Sequence, residues 1–164
     1  MAFLVLVSAV LIWAESEQSA ERSAVARHST TGAVALADAQ SALWQLRWGL
    51  VQFMVTDEAG RRQILADEPK SYAQIGKALD AYAASHPSEE EKKVLKAVQE
   101  HYAKYIGARP KWFELYGAGK LEEAAAWRAA TTTAFGAATV KAFAELIELQ
   151  QKASRKAMRR DSRN

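Results

Sequence analysis

Residues 36–55 read LADAQSALWQLRWGLVQFMV, and their apolar spacing decides the fold. Leu36, Ala39, Leu43, Leu46, Leu50 and Phe53 alternate three and four apart. That is the seam of a helix that buries one face against other helices. A second apolar stripe runs beside it: Ala33, Ala37, Trp44, Trp48, Val51 and Val55. One buried face needs only the first stripe, so this helix is expected to meet something beyond its own bundle. Arg47 lies at the margin of the two stripes, with Trp44 three residues before it and Trp48 next to it.

Working outward, the same signal recurs along the whole chain. From Glu15 to about Thr56 there is no proline, and the only glycines are Gly32 and Gly49, which predicts one helix of roughly 40 residues, or ~60 Å. Asp57, Glu58 and Gly60 mark a turn and a fresh helix start. A second helix, from about Ala59 to Ser85, carries Leu65, Tyr72, Ile75, Leu79 and Tyr82, with a kink or short break expected near Pro69. His86-Pro87-Ser88 ends it, and Ser88 with Glu91 forms a capping box for the third helix. The third helix carries Leu95, Val98, Tyr102, Tyr105, Trp112 and Tyr116, with a bend expected at Pro110 and a stop at Gly117-Ala118-Gly119. The fourth runs from Lys120 to about Arg159 on a seam of Ala125, Thr132, Phe135, Thr139, Ala142, Leu146, Leu149 and Ala153. No stretch alternates with period two, so no sheet is expected.

The fold class predicted is therefore all-α, an antiparallel up-down-up-down four-helix bundle whose first and fourth helices are long. Short connections make neighbours antiparallel, so helices one and four share one end. Helices two and three cover only the far part, which leaves a two-helix stalk that a second copy would steady. Residues 15–160 form this bundle and 161–164 a tail. Residues 2–14, AFLVLVSAVLIWA, are apolar without a charge, and 1–14 read as a partial transmembrane or signal-anchor segment, short of the ~20 residues a span needs.

The chemistry is that of binding. The 164 residues are 49% hydrophobic and 25% charged, with no cysteine, which removes disulfides, thiolate metal sites and cysteine nucleophiles. His28, His86 and His101 have Val25, Ala83 and Val98 three positions earlier, so the Glu-x-x-His pairs of a di-iron bundle are missing. There is no phosphate-binding glycine loop, G-x-S-x-G or H-E-x-x-H. No enzyme, metal or cofactor is expected. The net charge of +3 owes much to Lys152, Arg155, Lys156, Arg159, Arg160 and Arg163. These suit a solvated helix end or a membrane headgroup layer, whereas nucleic-acid binding is not expected because no aromatics interleave with them.

Helix lengths place Arg47, Arg109 and the trio Thr131, Thr132 and Thr133 at similar heights, within ~5 Å for Arg47 and the trio. Arg47 offers a planar fork suited to a carboxylate, the threonines offer hydroxyls, and Trp44, Trp48 and Phe135 can wall an apolar ring or chain. These eight residues are the candidate ligand site. The bland alternatives are a surface arginine stacked on tryptophan, helix-tolerated threonines, and an Arg109 placed by the Pro110 kink.

The segments ALWQLRWGLVQFMVTDEAGRR, YAQIGKALDAYAAS, EEEKKVLKAVQEHYAKYI, GAGKLEEAAAW and LIELQQKA, in this order after an apolar start, resemble the four-helix-bundle ligand-binding domain of bacterial methyl-accepting chemotaxis proteins. The likeness spans nearly the whole chain and rests on helical patterns rather than a sharp signature. It implies a sensor domain facing the periplasm, held at the inner membrane through the N-terminal segment and dimerising through the first helix. It implies a small ligand, such as an amino acid or an organic or aromatic acid, held by arginine on the first helix and polar residues on the fourth. Arg47 matches the first requirement, and Thr131–Thr133 match the second as a zone. Such a receptor also has a second membrane span and a signalling coiled coil, so the sequence is expected to be a fragment, an isolated sensor or a degenerate orphan. The rival expectation is a structural or protein-interaction bundle with no small-molecule site, in which the Trp44 and Trp48 stripe meets a protein partner.

Overall fold

A computed structural model describes the backbone of residues 2–161 and the side chains from Thr30 to Arg159. Five helices follow one another: α1 (Ala2–Val55), α2 (Glu58–Ala84), α3 (Glu89–Gly117), α4 (Leu121–Ala130) and α5 (Thr132–Asp161). They form the antiparallel four-helix bundle expected, with α4 and α5 together making the fourth arm. The boundary expected after residue 14 falls inside α1, which is continuous from Ala2. The tail at 162–164 lies outside the described residues.

The first seam is buried as its spacing requires: Leu36, Ala39, Leu43, Leu46, Leu50 and Phe53 all lose their water. α1 packs against α2 and α5, and α3 against α5. The core has two parts. The larger joins Leu36, Leu43 and Leu46 of α1 to Ile75, Leu79 and Tyr82 of α2, Leu95, Val98 and Tyr102 of α3, and Phe143 and Leu146 of α5. The smaller sits at the far end, where Phe53 meets Trp112 and Phe113 edge to face with centroids 5.8 and 4.8 Å apart.

The turns follow their local chemistry. The Asp57 carboxylate accepts from the Gly60 N–H at 2.8 Å and caps α2. At α3 the capping box is complete: the Glu91 N–H donates to Ser88 Oγ, and the Ser88 N–H to Glu91 Oε2. Gly119, at φ 75°, supplies the left-handed residue after α3.

Several expectations are corrected. The second stripe of α1 is on the opposite side from the first, not beside it. At 100° per residue its residues centre about 140° round the helix from the first stripe, and Trp44 and Trp48 are 52% and 59% exposed. Of the kink or break expected at Pro69, the break is absent, and α3 likewise continues through Pro110. The fourth arm is broken at Thr131, whose φ −129° and ψ −79° are not helical. Before that break the seam slips by one residue, so Ala124 is buried and Ala125 exposed. Leu65, placed on the seam of α2, is 44% exposed.

Candidate functional site

The layer around Arg47 is fixed by three cross-helix contacts. The Arg109 guanidinium on α3 donates through Nη2 to the Leu46 carbonyl of α1 at 2.8 Å. The Trp127 indole on α4 donates to the Ala108 carbonyl of α3 at 2.8 Å. A β-carbon on Gly136 of α5 would sit 3.1 Å from the Tyr105 ring of α3. Residues 105–109 of α3 are thereby level with Leu46 on one side and with the span from Trp127 to Gly136 on the other. Thr131 is midway along that span, so Arg47 and the threonine trio share one slice of the bundle.

Within the slice Arg47 is half-buried and stacks on its own neighbour, its guanidinium carbon 4.7 Å from the Trp44 ring centre. It makes no ion pair or hydrogen bond with any described residue. Nine residues separate it from Asp38, which turns it half-way round α1 from the flank where Asp38, Ala35 and Thr31 meet α2. Arg47 is therefore on the α5 flank. Its field reaches the interior: burial pushes the Tyr105 phenol up, and Arg109 and then Arg47 are the cations opposing that rise.

The break at Thr131 adds what the sequence did not suggest. Thr131 accepts from the Phe135 N–H at 2.8 Å and donates its own N–H to the Trp127 carbonyl at 3.0 Å. The first amides of α5, from Thr132 to Ala134, have no acceptor one turn earlier, so the positive end of a 30-residue helix opens in this slice. The Thr131 and Thr132 hydroxyls donate back to the Trp127 and Arg128 carbonyls at 2.6 and 3.3 Å, which leaves them as acceptors only. Thr133 is exposed and Phe135 half-buried. The trio contains no glycine or proline, so no ordinary breaker marked the spot.

Arg109 is corrected as a ligand contact. It is fully buried, and its fork is occupied inside the protein. Nε donates to Glu68 Oε2 at 2.7 Å, Nη2 to Glu68 Oε1, and Nη1 to the Tyr105 hydroxyl at 2.7 Å. Burial lowers the Arg109 pKa, but the Glu68 carboxylate, with Tyr105 and Tyr72, more than offsets it and the net direction is upward. Tyr72 donates to Glu68 as well. This cluster ties α1, α2 and α3 into the slice from within. Glu68 was missed because its partner is 41 residues away in sequence.

The model of a family described as the four helix bundle sensory module for signal transduction matches residues 1–164. The chain belongs to that family. The match covers the whole sequence and agrees with the resemblance to chemoreceptor sensor domains. No curated protein matches the chain. A sensory module has to couple an input to a displacement of its arms. The Arg47 slice holds a half-buried cation at the level of the discontinuity in the fourth arm.

Proposed function

We propose that this sensory module is the extracytoplasmic domain of a chemoreceptor and takes a small carboxylate at the Arg47 slice. The observation that carries the reading is the Arg47 charge, half-buried and without an acidic partner among the described residues. Such a cation beside the first amides of α5 favours an anion. Trp44, Trp48 and Phe135 add apolar walls, which favours an acid with an aromatic or aliphatic body. Thr133 supplies a free hydroxyl and Thr131 an acceptor, whereas Thr132 is buried and turned to the core. Arg109 holds the slice in shape without touching the ligand.

In this reading the exposed stripe of α1 meets the same stripe of a second copy, and the N-terminal apolar stretch holds the dimer at the inner membrane with the bundle in the periplasm. No helix of the described residues is long and apolar enough to cross a membrane. The charge-free segment at 2–14 is the part that fits an anchor. A carboxylate between Arg47 and α5 draws the two together and shifts α5 along α1.

The test is calorimetric titration of the protein with a panel of aliphatic and aromatic carboxylates, repeated with Arg47→Ala. Loss of the charge-assisted contact is expected to weaken a hit by about tenfold or more. Equal affinity in the variant overturns the Arg47 role. A second reading, an interaction bundle with no small-molecule site, is favoured by the exposure of Trp44 and Trp48. Self-association lost in Trp44→Ser with no response to any acid supports that rival.

A further inference from the structure

We propose that the outer face of the last turns of α5 is a docking surface for an anionic phospholipid layer. Lys152, Arg155, Lys156 and Arg159 are all exposed. At 100° per residue they fall within an arc of about 100°. The opposite side of α5 carries Ala142, Phe143, Leu146 and Gln150 into the core, so the cationic arc points away from the bundle. Among the described side chains the acid nearest the arc is Glu148, which Lys152 engages at 2.7 Å, and Arg159 has a contact of its own. The Lys152 contact, with help from Arg155, holds the Glu148 carboxyl below its ordinary value. Met158, 64% exposed, lies about 60° beyond Arg155, between the arc and the core side.

Position supplies the partner. The contacts that set Leu46 level with Thr131 also set the height of the rest of the antiparallel α1 and α5. Counting away from that slice, Lys152–Arg159 come level with roughly residues 17–25 of α1. The next residues of α1 toward its start are the charge-free stretch 2–14. A cationic collar beside an apolar stretch is the charge and polarity sequence of an anionic headgroup layer meeting acyl chains. Long lysine and arginine stems let the charges reach phosphates while Met158 lies along the interface. The inference rests on the membrane placement proposed above, and it assigns the collar to lipid rather than to solvent.

The experiment is flotation of the full chain with vesicles of phosphatidylcholine alone and with a minority of phosphatidylglycerol, at low and high salt. The anionic vesicles are expected to bind more tightly, and high salt to remove the difference. Arg155→Gln with Lys156→Gln is expected to weaken binding to the anionic vesicles by about 25-fold, about fivefold per cation, and to leave neutral vesicles unaffected. Equal binding to both vesicle types, or an unchanged double variant, overturns the collar. Equally tight, salt-sensitive retention on double-stranded DNA overturns the assignment to lipid. No binding to either vesicle type removes the membrane placement itself. Carboxylate titration of the double variant stays as in the wild type, which keeps the outcome separate from the Arg47 site.

Discussion

Glu68 and Arg109 face each other across the bundle as a buried, two-pronged ion pair, and each is the residue immediately before a proline inside its helix. Pro69 and Pro110 remove the backbone N–H that would bond the Leu65 and Ile106 carbonyls. The pair thus joins α2 and α3 at the two places where their backbone ladders are incomplete. It lies between the larger core and the far-end aromatic cluster and reaches α1 through the Leu46 carbonyl.

Removing one partner leaves the other charged and buried. Glu68→Leu alone is expected to cost about 3–5 kcal/mol, whereas Glu68→Leu with Arg109→Met regains most of it. Urea denaturation of the two singles and the double gives the coupling. Additive losses would show that the pair is not a unit.

Glycine replacements sort by what the new methyl meets. Nothing lies within 4 Å of a β-carbon on Gly76 or Gly107, so alanine at either is expected to stabilise by about 0.5–1 kcal/mol. At Gly136 the methyl meets a Tyr105 ring whose hydroxyl Arg109 holds, and Gly136→Ala is expected to cost about 1 kcal/mol or more. Thermal melts of the three variants test the difference in sign.

Alkali is expected to unfold the protein early. Burial, the first cause at each, raises the phenols of Tyr72, Tyr82, Tyr102 and Tyr105. A folded state that keeps its phenol protons loses stability relative to the unfolded chain once pH exceeds the ordinary tyrosine value of 10.0. The contribution is fully present below that pH and falls as pH rises above it. Denaturant melts across the alkaline range measure the slope, and absorbance at the phenolate band shows whether ionisation accompanies unfolding.

The outer stripe of α1 is expected to hold two copies together. Trp44→Ser with Trp48→Ser removes the two largest exposed apolar side chains of the stripe without touching the seam. Sedimentation velocity should show the wild type heavier than the double variant, with unchanged helical circular dichroism. Identical sedimentation would remove this face as the contact.

Much of the fold was legible because burial repeats every three or four residues wherever a helix has one dry face. Leu36 to Phe53, Leu95 to Trp112 and Ala142 to Leu146 carry that period without interruption. The caps at Ser88 and Gly119 are local chemistry and were equally readable. What local pattern does not encode stayed hidden. Arg109 reads as a free cation because nothing near it in sequence shows that Glu68 will neutralise it. The prolines after both residues, together with Tyr105 one turn before Arg109 and Tyr72 one turn after Glu68, were the available signal. No glycine or proline announces the break at Thr131, and it also explains why Ala125 was placed on the wrong side of its helix.

The unequal division of the fourth arm has a mechanical consequence. Ten residues lie beyond the break and 30 before the far end, while α1 alongside is a single uninterrupted rod. At ~1.5 Å per residue the longer piece is roughly 45 Å, so a tilt of about 2° at the discontinuity swings its other end by ~1.5 Å. Under the proposed function the discontinuity would be a fulcrum set close to one end of a lever, and α1 the frame against which its stroke is read.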